Sequence, residues 1–259
     1  MTARPSVMAG TAFVMPALRL LLLALVLAVW EALPRLGLVA PDLLPPFSEV
    51  LRTFVGLFSR RGFAADLGMT LLEIVTSFAI AVPLGAGLGL LIAERPFAAR
   101  VLDPLLFFIF SIPKSIFLPM FILTLGIGFW QKVGFGCFST TLLVLLSTQA
   151  AVRSVRPEHL LVARSYGATP IQVVWRIYLP SMLPILLEAL RLALIFTFTA
   201  VALAEMYASR TGLGHRIETW GENFMMPQLL AGVLLMAVMA MLLNEAIRFV
   251  EERCGAWRT

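Results

Sequence analysis

Apolar side chains run almost unbroken through six stretches of the chain, near Leu18–Leu36, Leu71–Ala93, Leu102–Ile127, Val133–Ala150, Leu183–Ala204 and Leu229–Val250. Each is close to the roughly 20 residues that a helix needs to cross a bilayer's hydrocarbon. Strands of a membrane barrel would alternate apolar and polar residues, and these stretches do not. The pattern predicts an all-α integral membrane protein with about six transmembrane helices. Within the third stretch, which also holds Pro104, Pro113 and Pro119 are expected to break the helix locally around Lys114. Between the first two spans, Phe47, Val50, Leu51, Phe54 and Phe58 fall on one stripe, predicting an amphipathic helix lying at the membrane interface.

The stretches are joined by short connections, with no linker long enough to separate two domains. The expected organisation is an N-terminal tail over 1–16, a membrane domain over 17–250 and a C-terminal tail over 251–259. The first apolar stretch follows Arg4 but leads into Trp30, Glu31, Ala32, Leu33 and Pro34 rather than a small-residue cleavage site. It therefore reads as a retained anchor. Arg95, Arg100, Arg153, Arg156, Arg164, Arg176, Arg253 and Arg258 then fall on the side of the N-terminus. Arg35, Arg52, Arg60, Arg61, Lys132, Arg210 and Arg216 fall on the other. This modest bias predicts cytoplasmic N- and C-termini in a bacterial inner membrane.

Composition agrees. Of 259 residues, 60% are hydrophobic and 14% charged, against about 25% charged in soluble domains. The net charge of +5 reflects topology, since no basic cluster alternates with aromatics as nucleic-acid binding would require. Cys137, Cys254, His159 and His215 are isolated and predict neither a metal site nor a disulfide. A membrane enzyme needs a convergent set of catalytic groups, and none is visible. No phosphate-binding loop is present either. Lys114 precedes Ser115, but Phe107 to Pro113 contains no glycine. ATP-driven work would need a separate chain to hydrolyse the nucleotide.

The segment 157–180 is a polar, Arg-bearing island between two spans. Pro157 suits an opening helical position, with Glu158 in the first turn. Gly167 can end that helix in the left-handed conformation. Thr169 and Pro170 then open a second helix, on which Ile171, Val174, Trp175 and Tyr178 share a face until Pro180 stops it. A stiff elbow with an apolar face is suited to docking a partner.

This island resembles the EAA loop of ABC-importer permeases. Ala163, Gly167, Ile177, Leu179 and Pro180 fall at that loop's spacing, while Leu161 and Val162 stand where it has Glu and Ala. The wider chain is similar to permeases of the nitrate/sulfonate/taurine importer group. The supporting residues are Trp30-Glu31, Pro46-Phe47-Ser48-Glu49-Val50, Asp103-Pro104-Leu105, Ile112-Pro113 through Leu118-Pro119 and Gly126-Ile127-Gly128. Leu190-Arg191-Leu192-Ala193, Ala204-Glu205-Met206 and Gly212-Leu213-Gly214 continue the match. Glu73 departs from it, standing where an Arg is expected. The resemblance implies a type I importer fold and a non-catalytic subunit. It also implies a second permease copy, a cytoplasmic ATPase pair that binds ATP and Mg, and an extracytoplasmic binding protein. Ala163, Gly167, Ala168, Pro170, Ile177, Leu179 and Pro180 would form the coupling helix seated on the ATPase. The implied cargo is a small anion such as a sulfonate, taurine or nitrate, with a nitrogen-heterocyclic vitamin precursor as an alternative. A carrier driven by an ion gradient remains a third reading.

Charges inside spans are costly and face partners or water-filled cavities. Glu73, Lys114, Glu188, Arg191 and Glu205 are such charges and are the candidate substrate pathway. From sequence two roles stay open for them. Glu188 could pair with Arg191 and Lys114 with Glu73 or Glu205, locking the bundle. Alternatively Lys114 or Arg191 could face a solvated cavity and ease an anion through. Gly85 and Gly89, four apart in the second span, predict close packing of helix backbones.

Overall fold

A computed structural model describes residues 7–255, and the described residues contain only helices, turns and irregular segments. The helices are α1 (Val7–Arg35), α2 (Phe47–Leu57), α3 (Phe63–Ala93), α4 (Pro96–Ser111), α5 (Leu118–Leu125), α6 (Phe129–Arg153), α7 (Pro157–Ser165), α8 (Pro170–Val173), α9 (Leu179–Tyr207), α10 (Leu213–Glu222) and α11 (Met226–Gly255). Among the described residues five helical rods are long and apolar enough to cross a membrane, or six if the α4–α5 pair counts as one broken span. Helix α1 begins at Val7, inside the expected N-terminal tail, but its stretch long and apolar enough to cross is Ala17–Arg35. The tail residues 251–255 continue α11, and 1–6 and 256–259 lie outside the described residues.

The contacts separate into two units, one built from the residues up to Phe63 with 217–235, the other from 64–216 with 236 onward. In the first unit, the Trp30 indole N–H donates to the Pro45 carbonyl at 3.1 Å and the ring packs on Phe47 at 5.4 Å. Glu31 accepts from the Ser48 N–H at 2.9 Å and the Ser48 hydroxyl at 2.7 Å. A carboxylate thus sits on the N-terminal turn of α2, where the free N–H groups point. This gives a physical reason for Trp30-Glu31 and Phe47-Ser48 to occur together. The expected stripe of α2 divides: Val50 is buried, whereas Leu51 and Phe58 are about half exposed.

In the second unit, α6 and α9 lie together along most of their length and form the core. α3 packs on α6 through Gly85 and Gly89. A Cβ on Gly85 would stand 2.7 Å from the Thr141 carbonyl oxygen, and one on Gly89 2.6 Å from that of Leu145. Only hydrogen fits there, as small-residue packing requires. The Thr140 and Thr197 hydroxyls, 2.7 Å apart, join α6 to α9 in an otherwise apolar layer. Of the prolines in the third span, Pro113 marks the break and Pro119 opens α5, whereas Pro104 lies inside α4 without interrupting it. α4 ends at Ser111, a short 3₁₀ turn covers Lys114–Phe117, and the two legs meet at 87°.

Candidate functional site

The elbow forms from local rules. Gly167 adopts φ +72°, and the Ala168 N–H reaches back to the Ala163 carbonyl at 3.0 Å. This is the six-to-one bond of a Schellman turn. Ala163 and Ala168 also pack against a buried cluster of Ala151, Val152, Val155, Val173, Tyr178 and Met182, which leaves little room for larger side chains. Thr169 and Gln172 then close a reciprocal capping box. The Thr169 N–H donates to the Gln172 side chain at 2.9 Å, and the Gln172 N–H to the Thr169 hydroxyl at 3.4 Å. Pro170 occupies the opening turn as expected.

Two expectations for the elbow need correcting. Pro180 does not stop the second helix: Val174–Tyr178 widens into a π turn and runs directly into α9. A proline lacks the N–H that would bond four residues back, and a widened turn absorbs that missing bond without breaking the rod. The expected shared face also splits. Tyr178 is buried beside Val173, while Ile171 and Trp175 are 72% and 66% exposed. Leu161, Val162 and Tyr166 are exposed as well. The elbow therefore has an inner apolar face that anchors it and an outer one without cover. Ile177 lies on the inner face, and Leu179 and Pro180 open α9.

The charged residues separate into two groups. Glu73 and Glu205 are fully buried and line neither of the cavities described below. The Lys132 ammonium, 2% exposed, forms an ion pair with Glu73 and donates to the Ser209 hydroxyl at 3.1 Å. Glu205 accepts from the Thr70 hydroxyl at 2.7 Å and the Gly214 N–H at 2.8 Å. Thr70 in turn accepts from the Leu213 N–H at 2.9 Å. Asp66 accepts from the Gly212 N–H at 2.9 Å and pairs with Arg216. A Cβ on Gly212 would collide with the Glu205 carboxyl. The Gly212-Leu213-Gly214 backbone is thereby latched onto the ends of α3, α6 and α9. In the locking arrangement Lys114 would pair with Glu73 or Glu205; the structure pairs Glu73 with Lys132 instead. Hydropathy alone starts the fourth span at Val133 and leaves Lys132 in a loop. Continuing the buried positions of α6 one turn toward the N-terminus would have found it.

Lys114, Glu188 and Arg191 line open space. A cavity of about 300 Å³ lies between the 3₁₀ turn, α6 and α9, bordered by Lys114, Ser115, Phe135, Ser139, Phe196 and Thr199. A second, of about 560 Å³, includes Ser147, Glu188, Arg191 and Asn244 in its lining. Ile195 borders both. Glu188, Arg191, Ile195 and Thr199 recur at helical spacing, so one face of α9 carries polar groups past both cavities. Lys114 donates to the Phe110 carbonyl and stands 3.9 Å from the centre of the Phe110 ring. Among the described residues it has no carboxylate partner. Sequence reading missed Ser139 and Thr199, which resemble ordinary polar residues of a span until their positions around the cavity are known. Among the described residues no cluster of His, Cys, Asp and Glu could hold a metal ion.

Known proteins share this architecture. An alginate-importing bacterial ABC transporter matches with a TM-score of 0.66 at 17% identity, over 94% of this chain and 96% of that one. An inward-facing MetNI methionine ABC transporter matches with a TM-score of 0.56 at 23% identity, over 77% and 95%. These likenesses establish the type I ABC importer permease fold. In sequence, the taurine transport system permease protein TauC of Escherichia coli is 30% identical over 91% of this chain and 87% of its own. The putative aliphatic sulfonates transport permease protein SsuC of Bacillus subtilis is 26% identical over 92% and 87%. The formylaminopyrimidine transport permease protein ThiX of Halalkalibacterium halodurans is 28% identical over 90% and 93%. Residues 81–253 match the family of binding-protein-dependent transport system inner membrane components, covering the elbow, α9 and both cavities. The chain belongs to that family: it is a multi-pass, non-catalytic transmembrane subunit of an ABC importer, a machine whose ATPase is a separate chain.

Proposed function

We propose that this permease pairs with a second copy of itself to pass a small organic anion of the sulfonate class, received from a binding protein, across a bacterial inner membrane. The supporting observation is the Lys114 ammonium, held at a cavity with no carboxylate partner among the described residues. A cation kept within a span without a neutralising acid is costly unless anions or water visit it. The taurine and sulfonate names of two relatives point to the same cargo chemistry. The route runs along the α9 face, from the Lys114 cavity past Ile195 to the cavity of Glu188 and Arg191. Glu73 and Glu205 act in the latch that holds the Gly212–Gly214 loop.

The elbow, including Ala163, Gly167, Ala168, Pro170, Ile177, Leu179 and Pro180, seats on a cytoplasmic ATPase pair that binds ATP and Mg. Exposed Tyr166, Ile171 and Trp175 supply the contact. The elbow and both termini face the cytoplasm. Lys132 and Arg216 are neutralised by buried or half-buried acids, and removing them from the opposite side sharpens the positive-inside bias.

Cysteines placed at Ile171 or Trp175 should cross-link to the co-expressed ATPase, and the assembled importer should take up radiolabelled taurine in proteoliposomes only with ATP. Absence of cross-links in an intact assembly would refute the docking role, and uptake that ignores ATP depletion would favour an ion-coupled carrier. ATP-driven uptake of a formylaminopyrimidine but not of taurine would move the cargo to the class named for the ThiX relative.

A further inference from the structure

A third cavity, of about 230 Å³, opens where α3 ends against the elbow and is lined by Glu94, Ala168, Pro170, Val173 and Tyr178. Unlike the other two, it takes most of its wall from polar atoms. Its parts are held in place: Leu90 and Ala93 of α3 and Ala168 of the elbow pack on the cluster that contains Val173 and Tyr178. Among the described residues lining it, Glu94 alone is charged, and it is exposed. Among the described residues no cation pairs with the Glu94 carboxylate and no donor bonds to it. The placement is unfavourable for a carboxylate left alone. Glu94 directly follows the last residue of α3, where free carbonyls gather partial negative charge, and no basic residue stands in that last turn. The opening turn of α8 offers little in return. Pro170 has no N–H, and the Thr169–Gln172 capping box occupies the Gln172 N–H. An external cation would meet both deficits.

Resting on the docking role proposed for the elbow, we propose that this cavity is the socket for one cationic side chain, an arginine or a lysine, of the ATPase. The cavity adjoins the docking face, since Pro170 precedes Ile171, which is 72% exposed. That face is uncharged at Leu161, Val162, Tyr166, Ile171 and Trp175, and from His159 to Pro180 the chain contains no Asp or Glu. Apolar contact alone lets two surfaces slide, whereas a charge seated in a pocket fixes their register. Glu94, brought alongside from a different element, supplies that charge. Ala168, Pro170 and Val173 offer carbon for the methylene stem of the incoming side chain. A metal ion fits poorly, because one carboxylate gives too few oxygens for calcium or magnesium. A link made here also ties the end of α3 to the ATPase, so that a second span moves with the elbow.

The test uses the full-length permease in nanodiscs and the purified ATPase of the same importer, with binding measured across a range of salt. Glu94→Gln should weaken binding about tenfold and flatten its dependence on salt, and Glu94→Lys should weaken it further. Glu158 is an exposed acid of α7 outside the cavity, and Glu158→Gln should change binding by less than about threefold. Reversing in turn the Arg and Lys residues on the ATPase surface that contacts the elbow should yield one Glu variant that rescues Glu94→Lys and binds the parent permease poorly. Parental affinity in Glu94→Lys, an equal loss in Glu158→Gln and Glu94→Gln, or the absence of any rescuing reversal would each overturn the socket. So would a Glu94→Gln permease that is itself less stable in detergent titration, because the carboxylate would then have a partner inside the chain. Loss of a co-purified amine-headgroup lipid from Glu94→Gln, with ATPase binding unchanged, would overturn it in favour of a lipid site. If Ile171→Cys cross-links to the ATPase while the Glu94 variants bind normally, the elbow docks and only the socket falls. Missing cross-links in an intact assembly would instead remove the docking reading itself.

Discussion

Replacing Lys132 by Met tests the latch directly. Lys132 is 2% exposed, and the Glu73 and Glu205 carboxyls around it are fully buried. Removing one partner of a buried ion pair typically costs about 3–5 kcal/mol, because the remaining charge keeps its desolvation penalty and loses its attraction. Here the lower end applies. Glu205 keeps the Thr70 hydroxyl and the Gly214 N–H, and hydrogen bonds to a charged group are worth about 1.5–3 kcal/mol each. Among the described residues the Glu73 carboxyl has no hydroxyl or backbone N–H donor of this kind. The expected loss is therefore about 3 kcal/mol, or roughly a hundredfold in the unfolding equilibrium at about 1.4 kcal/mol per tenfold. Unfolding in mixed micelles, titrated with sodium dodecyl sulfate and followed by tryptophan fluorescence, would measure it. Adding Glu73→Gln to Lys132→Met removes the stranded charge and should recover at least half of the loss. A single variant within about 1 kcal/mol of the parent, or a double variant no better than the single, would refute the argument that charge balance holds this end of the bundle.

Other expectations follow from positions already described. Gly89→Val should lower stability by about 1–3 kcal/mol, because its Cβ would stand 2.6 Å from the Leu145 carbonyl oxygen, whereas Gly87→Ala, with nothing within 4 Å, should be nearly neutral in the same titration. Gly167→Ala meets no neighbour but must hold φ +72°, so it should cost about 1–2 kcal/mol and raise amide exchange across 163–172; Gly167→Asn should cost less. Trp175→Ala removes a side chain that is 66% exposed, so thermal stability should change little while the yield of co-purified ATPase falls. Asp103→Asn breaks a pair whose arginine is half exposed, and its effect on unfolding should stay within about 1 kcal/mol.

Much of the fold is legible because spans, caps and close backbone contacts depend on residues near one another in sequence. Gly85 and Gly89 announce tight packing by spacing alone, and Thr169 and Pro170 announce a helix start. The rest depends on long-range contact or on small departures from ideal geometry. The bond from Thr70 to Glu205 joins positions 135 residues apart, and no local pattern selects Lys132 over Lys114 as the partner of Glu73. The division of the elbow's face escapes the sequence for a subtler reason. An ideal helix puts Ile171, Val174, Trp175 and Tyr178 on one stripe, but the π turn at Val174–Tyr178 rotates the later positions, so Trp175 points out and Tyr178 in.

Because the π turn replaces a loop, Pro170 to Tyr207 is one continuous helical rod of 38 residues, roughly 57 Å long at 1.5 Å per residue. Tilting such a beam by roughly 5° about one end carries the other end sideways by roughly 5 Å, by the same length. The far end holds Glu205, the anchor of the Gly212–Gly214 backbone. A push delivered beside Trp175 would thus reach that anchor without passing through a flexible joint. Opening at one side of the bilayer and nucleotide handling at the other would then be two readings of a single displacement.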